Sequence, residues 1–263
     1  MAPTAARFRR ADWLALAALF AVGIAIRLVL FPTAGLRADM DQFAGWVHHI
    51  AVDGLANLYG ETSAGPVTFG PVMGLIWGLL AGIAPGFQTA TDASDTGLRM
   101  LLKLPASIAD IGLAVVAVQA LRDRGRWAIL AGAAILLHPA VIDVSAWWGQ
   151  YESIYLLSAL GAAVAAIRGR NGLAAALVAV SLLTKPQAIP FLIPFAAWFW
   201  ATGYSRDGTR GAVTELVRTA AIGLAVLVLG WLPFHDGPAN YLANVRYYQD
   251  EVFNVLSLRA WNP

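Results

Sequence analysis

The sequence predicts an all-α, polytopic membrane protein, and three observations predict this fold class. Mean hydropathy is +0.63 and hydrophobic residues make up 59% of the chain. Charged residues make up only 13%, against roughly a quarter in a soluble domain. Arginines also cluster in alternate gaps between apolar stretches: Arg7, Arg9 and Arg10; Arg122, Arg124 and Arg126; Arg168 and Arg170; Arg206, Arg210 and Arg218. Short loops rich in Lys and Arg stay cytoplasmic, so a cytoplasmic N-terminus is expected.

The first transmembrane helix is predicted over residues 11–31. Its basic start resembles a signal peptide, but the apolar run is too long for one and no small-x-small cleavage site follows. Arg27 lies one turn before the outer end of this helix, where it is expected to snorkel to the interface.

An outer loop is predicted over residues 32–97. Apolar residues recur there at helical spacing, which predicts an amphipathic helix lying on the membrane: Phe43, Trp46, Val47, Ile50 and Leu58. Residues 71–84 form an apolar run too short for a typical span. Treating this run as a span would move Arg122 to Arg126 outside, so a segment on the outer face is preferred.

Helices two to seven are predicted within residues 98–234, at 98–121, 127–146, 153–167, 173–184, 188–202 and 213–233. A rival interpretation makes 173–200 one kinked span, which buries Lys185 and moves Arg206 to Arg218 outside. Residues 235–263 are a last outer loop rich in Tyr, Asn and charge. The whole chain is expected to form one module, truncated after about seven transmembrane helices.

Asp39 and Asp41 follow the first helix and stand two residues apart. Such a pair suits a general base with a helper, or a site for a divalent cation. The alternative is capping of a helix N-terminus, where acids are favoured. The chain has no cysteine, and its four histidines show no metal-ligand spacing, so no histidine metal site is expected.

The segment from Trp147 to Glu152 combines two tryptophans with Gln150 and Glu152 at the outer end of a predicted helix. Aromatic rings beside an amide and a carboxylate suit sugar hydroxyls. An aromatic belt at the interface is the alternative; it explains the tryptophans but not Gln150 or Glu152.

Three further positions carry charge or break a helix. Lys103 and Asp110 are seven residues apart on one face of the second span, and ionisable residues inside a membrane are functional candidates by default. A structural pair is the alternative. Lys185, before Pro186 and Gln187, offers a point charge for a phosphate, or is simply a snorkelling lysine.

Taken together these motifs resemble the GT-C superfamily of membrane glycosyltransferases, which use polyprenyl-phosphate sugar donors. The likeness is greatest to the lipid-linked-oligosaccharide glucosyltransferases, the GPI mannosyltransferases and their bacterial relatives. The matching stretches are Asp39-Met40-Asp41 with Trp46; Phe69-Gly70-Pro71; Lys103 with Asp110; Pro139 followed by Trp148-Gly149-Gln150-Tyr151-Glu152; Lys185-Pro186-Gln187; and Arg246 to Asn262. Glu152 departs from the family pattern, which has Asp or Asn. The family continues with further helices, which is why a truncated chain is expected.

The resemblance implies an inverting transfer of mannose or glucose from a polyprenyl-phosphate donor to a glycan, lipid or protein acceptor, on the outer face of a bacterial inner membrane. The resemblance implies that Asp39 is the general base and that Asp41 orients it. It implies donor phosphate binding for Lys103, Lys185 and Arg246. The sugar or acceptor pocket would comprise Trp148, Gln150, Glu152 and Gln187, with Asp110 structural or undecided. A divalent cation is conceivable but not expected, and nucleic acid is not an expected partner.

The alternative function is a transporter or flippase of lipid-linked sugars. Transport sites lie near the bilayer midplane, whereas Asp39 and Asp41 are predicted outside it. A scaffold without chemistry does not explain so many polar motifs on one side.

Overall fold

A computed structural model describes residues 8–235 and 237–252, with side chains described up to residue 250. The α-helices are α1 (Arg10–Leu30), α2 (Arg37–Asp53), α3 (Pro71–Ile83), α4 (Thr96–Ala120), α5 (Arg126–Leu136), α6 (Pro139–Ile142), α7 (Glu152–Ile167), α8 (Asn171–Leu182), α9 (Leu192–Trp231) and α10 (Gly237–Tyr247). No strand occurs in these residues, which confirms the all-α class. The expectations for Arg7 and for the end of the last outer loop, 253–263, lie outside the described residues.

Several helices are long and apolar enough to cross a membrane. Within the described residues they are Arg10–Leu30, Thr96–Ala120 and Pro186–Trp231, the last counted across an internal turn. A bent pair, Arg126–Leu136 with Pro139–Trp148, adds a fourth if the pair is one broken span. Helices α3, α7 and α8 are apolar but shorter. These lengths and compositions are compatible with a membrane protein.

Helix α9 is a hairpin of two arms, 192–206 and 209–231. Asp207 and Gly208 have non-helical dihedrals, and Gly208 has a φ of 51°, which favours glycine. The side chain of Asn171, at the start of α8, contacts Trp198 on one arm and Glu215 on the other. Both arms therefore run beside α8, and the rival single span over 173–200 is excluded.

The connections bring the predicted motifs to one end of the bundle, here called the site end. Asp39 contacts Gln150, and the backbone of Gly70 donates to the Thr184 carbonyl. The opposite end, here called the arginine end, holds Glu215 with its two arginine partners and the turns after α4 and α7.

Helices α2 and α3 cover the site end. The apolar face of α2 is buried against protein, with Phe43 and Trp46 each 1% exposed and Val47 fully buried. Its rings pack with Phe69, Trp77 and Tyr151 at centroid separations of 4.9–6.1 Å, and these five rings are called the aromatic core. The prediction that this face lies on the membrane is wrong, because α3 supplies its apolar partner.

The single helix predicted over 127–146 is also wrong. Helix α5 ends at Leu136, Pro139 begins the short α6, and a wider π-helical turn, Asp143–Trp148, completes the segment. Proline has no N–H to donate and its ring clashes with the preceding turn, so the helix cannot continue through it. The 46° bend turns the residues that follow toward α2.

Candidate functional site

Asp39 is the centre of the polar contacts at the site end. It lies in the first turn of α2, half-buried, and its Oδ2 accepts hydrogen bonds from Trp148 Nε1 at 2.8 Å and Gln150 Nε2 at 2.5 Å. Among the described residues no partner of Oδ1 is found. No side chain caps α2, so capping does not explain this aspartate. Within the described residues, one carboxylate oxygen is therefore held and the other has no hydrogen-bond partner.

Asp39 borders a polar cleft of about 650 Å³, which Asp41, Gln42, Ser63 and Thr91 also line. Asp41 accepts from the Ala93 amide at 3.0 Å and lies 3.5 Å from Arg37. This carboxylate therefore fastens the loop before α4 to α2. In the part of the chain that the structure describes, no cluster of three His, Cys, Asp or Glu side chains could hold a metal ion.

Lys185 joins the same network from the opposite side. It precedes the 3₁₀ turn Pro186–Phe191, is 8% exposed, and its Nζ lies 2.6 Å from Glu152 Oε1 and 3.4 Å from Gln150 Oε1. Gln150 thus links the Asp39 carboxylate to the Lys185 ammonium. Asp39, Trp148, Gln150, Glu152 and Lys185 are called the Asp39–Lys185 network.

The network is charged and only partly saturated. Glu152 begins α7, where the positive end of the helix dipole favours a carboxylate. Its Oε2 is buried without a hydrogen-bond partner in the described part of the chain. The Lys185 ammonium also lies 4.8 Å above the Phe69 ring of the aromatic core. An anion that approaches Lys185 competes with Glu152 for it.

Gly149 allows the network to form. Its φ is 93°, a conformation in which other residues are strained. A Cβ built on it would overlap the Met40 sulfur of α2. Only glycine therefore lets the chain between Trp148 and Gln150 approach α2 closely enough to reach Asp39.

Lys103 and Asp110 are not brought together. Lys103 is fully buried, and its Nζ donates to the Thr33 carbonyl at 2.7 Å and the Thr33 hydroxyl at 3.1 Å. It supports the backbone just after α1, where carbonyl oxygens lack helical partners. Lys103 does not line the polar cleft.

Asp110 pairs instead with Arg27. The Arg27 guanidinium lies 2.7 Å from Asp110 Oδ2 and donates further to the carbonyls of Gly23 and Leu136. At 2% exposure this arginine does not snorkel; the expectation failed because a carboxylate on α4 supplies a buried partner. Ser145 and Ser153 also donate to Asp110, and these four residues are called the inner cluster.

Arg246 and Gln187 stand apart from the network. Both are exposed, and neither has a side-chain hydrogen bond or ion pair within the described residues. Helix α10 carries Arg246, and Tyr248 directly after this helix contacts Gln42, a residue that lines the cleft. Gln42 donates to the Tyr248 hydroxyl at 2.6 Å. Burial raises the pKa of Tyr248, and the Gln42 hydrogen bond opposes this rise.

Sequence reasoning missed Arg27, Ser145, Ser153 and Gln42. A signal existed for the first: Arg27 and Asp110 are opposite charges in two apolar helices, and such residues usually pair inside a bundle. No comparable signal marks the two serines or the glutamine.

Comparison of the chain with family models, with curated proteins and with solved structures found no match.

Proposed function

We propose that this protein is a GT-C-type glycosyltransferase of the bacterial inner membrane, with its N-terminus cytoplasmic and its active site on the outer face. It moves mannose or glucose from a polyprenyl-phosphate donor to a glycan, lipid or protein acceptor. One observation carries the proposal: Asp39 lines a polar cleft and is held through Oδ2 by Trp148 and Gln150, while Oδ1 has no hydrogen-bond partner among the described residues.

In the proposed reaction Asp39 acts as general base. Its Oδ1 takes the proton of an acceptor hydroxyl as that oxygen bonds to C1 of the sugar. The bond between C1 and the phosphate oxygen breaks on the opposite face of the ring, so the configuration inverts and the lipid phosphate leaves with the electron pair. Trp148 and Gln150 keep the carboxylate aimed at the cleft, and a positioned base of this kind contributes typically 10²–10⁴-fold in rate.

The leaving phosphate needs positive charge, which is most useful where negative charge develops. Lys185 is the best placed cation, because Gln150 connects it directly to Asp39. Arg246 is exposed on α10 and is the second candidate. Lys103, buried against Thr33, supports the end of α1 instead, and Asp41 holds the loop before α4 at the same cleft.

A transporter of lipid-linked sugars is the alternative function. It would use ionisable groups deep in the bundle, and the Arg27–Asp110 pair is such a group. Both side chains of this pair are hydrogen-bonded to other residues of the protein. Neither residue lines the polar cleft. The glycosyltransferase explains the free oxygen of Asp39, and the transporter does not.

The test is sugar transfer in membranes that contain the full-length gene product, with labelled polyprenyl-phosphate mannose or glucose as donor. Asp39→Asn should express normally and lose at least about 10²-fold in transfer rate. Asp53→Asn is the matched control, because Asp53 lies on the same helix and is half exposed; it should keep full activity.

Retained transfer in Asp39→Asn would remove the base from the proposal. No transfer with any donor, together with movement of the labelled lipid across the bilayer, would establish the transporter instead.

A further inference from the structure

The inner cluster has a feature that a simple buried ion pair lacks. Asp110, fully buried on α4, accepts hydrogen bonds from three other elements: Arg27 on α1, Ser145 on the π-helical turn, and Ser153 on α7. Its Oδ2 receives Arg27 and Ser145, and its Oδ1 receives Ser153. Both oxygens are thus engaged by the protein.

The two serines bracket the functional segment. Ser145 stands three residues before Trp148, and Ser153 directly follows Glu152. The left-handed turn at Gly149 lies between them. Because one carboxylate binds both serines, it fixes the two ends of the stretch that supplies Trp148, Gln150 and Glu152.

We infer that Asp110 is a positioning residue for the site: held by Arg27, it pins residues 145 and 153 together and so sets where Trp148 and Gln150 meet Asp39. The effect of Asp110 on sugar transfer rests on the proposed function. Its effect on the placement of the segment is independent of that function.

Ser145 shows why the carboxylate, and not packing alone, decides this placement. A serine hydroxyl has one proton to donate, and Ser145 Oγ lies 2.5 Å from Asp110 Oδ2 and 2.8 Å from the Val141 carbonyl. A charged acceptor makes the stronger bond. Without the carboxylate the hydroxyl turns back to its own helix, and the link to α4 is lost while the serine stays satisfied.

The experiment uses the absence of cysteine from the chain. Trp147→Cys places a single thiol in the segment, outside the proposed site and at a position where the native side chain is 39% exposed. The rate at which a maleimide alkylates this thiol reports how firmly the segment is held. The backgrounds are Ser145→Ala with Ser153→Ala, Ser153→Thr alone, and Ser181→Ala. Ser181 is the matched control, a fully buried serine that donates to the Tyr155 carbonyl.

The double alanine variant should alkylate about tenfold faster, the scale of a lost hydrogen bond to a charged group. Ser153→Thr keeps the hydroxyl and should keep the original rate, and Ser181→Ala should leave it unchanged. An unchanged rate in the double variant overturns the inference. An equal increase in Ser181→Ala overturns it too, because general loosening would then be the cause.

Transfer activity supplies the second measurement, made with the native Trp147 on folded protein counted by size-exclusion chromatography. The double alanine variant should lower kcat per folded molecule with little change in donor KM. A purely structural role would lower the yield of folded protein and leave kcat intact, which would contradict the inference. If no form of the protein transfers sugar but alkylation responds as expected, the positioning stands and the proposed function fails.

Discussion

The inner cluster and the Asp39–Lys185 network are built from the same groups, yet they differ in what remains free. Each joins a carboxylate to a cation, and each draws on residues 145–153. In the inner cluster all four side chains are at most 5% exposed and both oxygens of Asp110 are bonded. In the network, Asp39 is half-buried and lines the cleft, and its Oδ1 has no partner among the described residues. The saturated group suits holding the segment in place, and the unsaturated one suits chemistry.

The difference follows from position along the helices. Asp110 lies in the interior of α4, away from water, where an unpaired charge would be strongly destabilising. Asp39 lies in the first turn of α2, where water and the helix dipole support its charge without a counter-ion. A buried carboxylate must therefore be fully paired, while the one at the site end can keep an oxygen for a substrate.

The largest expected effect is on stability, from breaking the inner cluster. Arg27→Met leaves the Asp110 charge buried and unpaired, which should cost about 3–5 kcal/mol of unfolding free energy. Denaturant unfolding of the purified protein in detergent measures it. Adding Asp110→Leu should recover most of the loss, because no charge then remains.

Arg37→Met is the control for this substitution. Arg37 is 72% exposed beside Asp41, and such surface pairs are worth about 0–1 kcal/mol. Equal losses in the two arginine variants would contradict the distinction between the regions.

The next effect comes from the turn at Gly149, in the segment that the two regions share. Gly149→Ala should cost about 1–2 kcal/mol for the left-handed backbone and a further 1–3 kcal/mol or so for overlap with Met40. Gly169→Ala separates these costs, because Gly169 follows the end of α7 with a φ of 72° and has no neighbour near its Cβ position. If Gly149→Ala is no worse than Gly169→Ala in denaturant unfolding, the close approach to Met40 is not needed.

A smaller effect is expected on substrate binding. Lys185→Met removes the proposed partner of the donor phosphate and should raise the donor KM about 10–100-fold, the scale of a hydrogen bond to a charged group. Glu152→Gln should lower that KM, because the competing charge is removed. Initial rates at varied donor concentration measure both, and a rise in KM for Glu152→Gln would show that Glu152 helps binding rather than competes.

The smallest effect is expected at Arg246, which makes no described contact. Arg246→Gln should change the unfolding free energy by less than about 0.5 kcal/mol. If Arg246 serves the donor phosphate, the variant should also raise the donor KM at low salt, with the difference shrinking at high salt as the charge is screened. A loss of stability above that limit would mean that the arginine packs.

The sequence predicted much of this arrangement, because the order of the motifs and the side of the membrane assigned to each loop can be read from short stretches of sequence. Alternating arginine clusters placed Asp39, Gln150 and Lys185 on one side, and they do meet at one end of the bundle. Partners across the bundle were not predictable in the same way. Arg27 and Asp110 are 83 residues apart, and only packing of α1 against α4 and α5 decides between pairing and snorkelling.

Two local errors have local causes. The prediction of one helix over 127–146 did not treat Pro139 as a helix break, although a proline inside a helical pattern is a recognised one. The amphipathic pattern of α2 was correct, but an apolar face does not say what covers it. Here α3 does, through Trp77 and the aromatic core.

The most direct test of this account measures transfer rate and unfolding free energy together in Asp39→Asn and Asp110→Asn. We expect Asp39→Asn to lose transfer with stability unchanged, because its loss affects chemistry alone. Asp110→Asn should lose stability, because Arg27 is left without its carboxylate. Full transfer in Asp39→Asn, or unchanged stability in Asp110→Asn, would contradict the division of roles between the two regions.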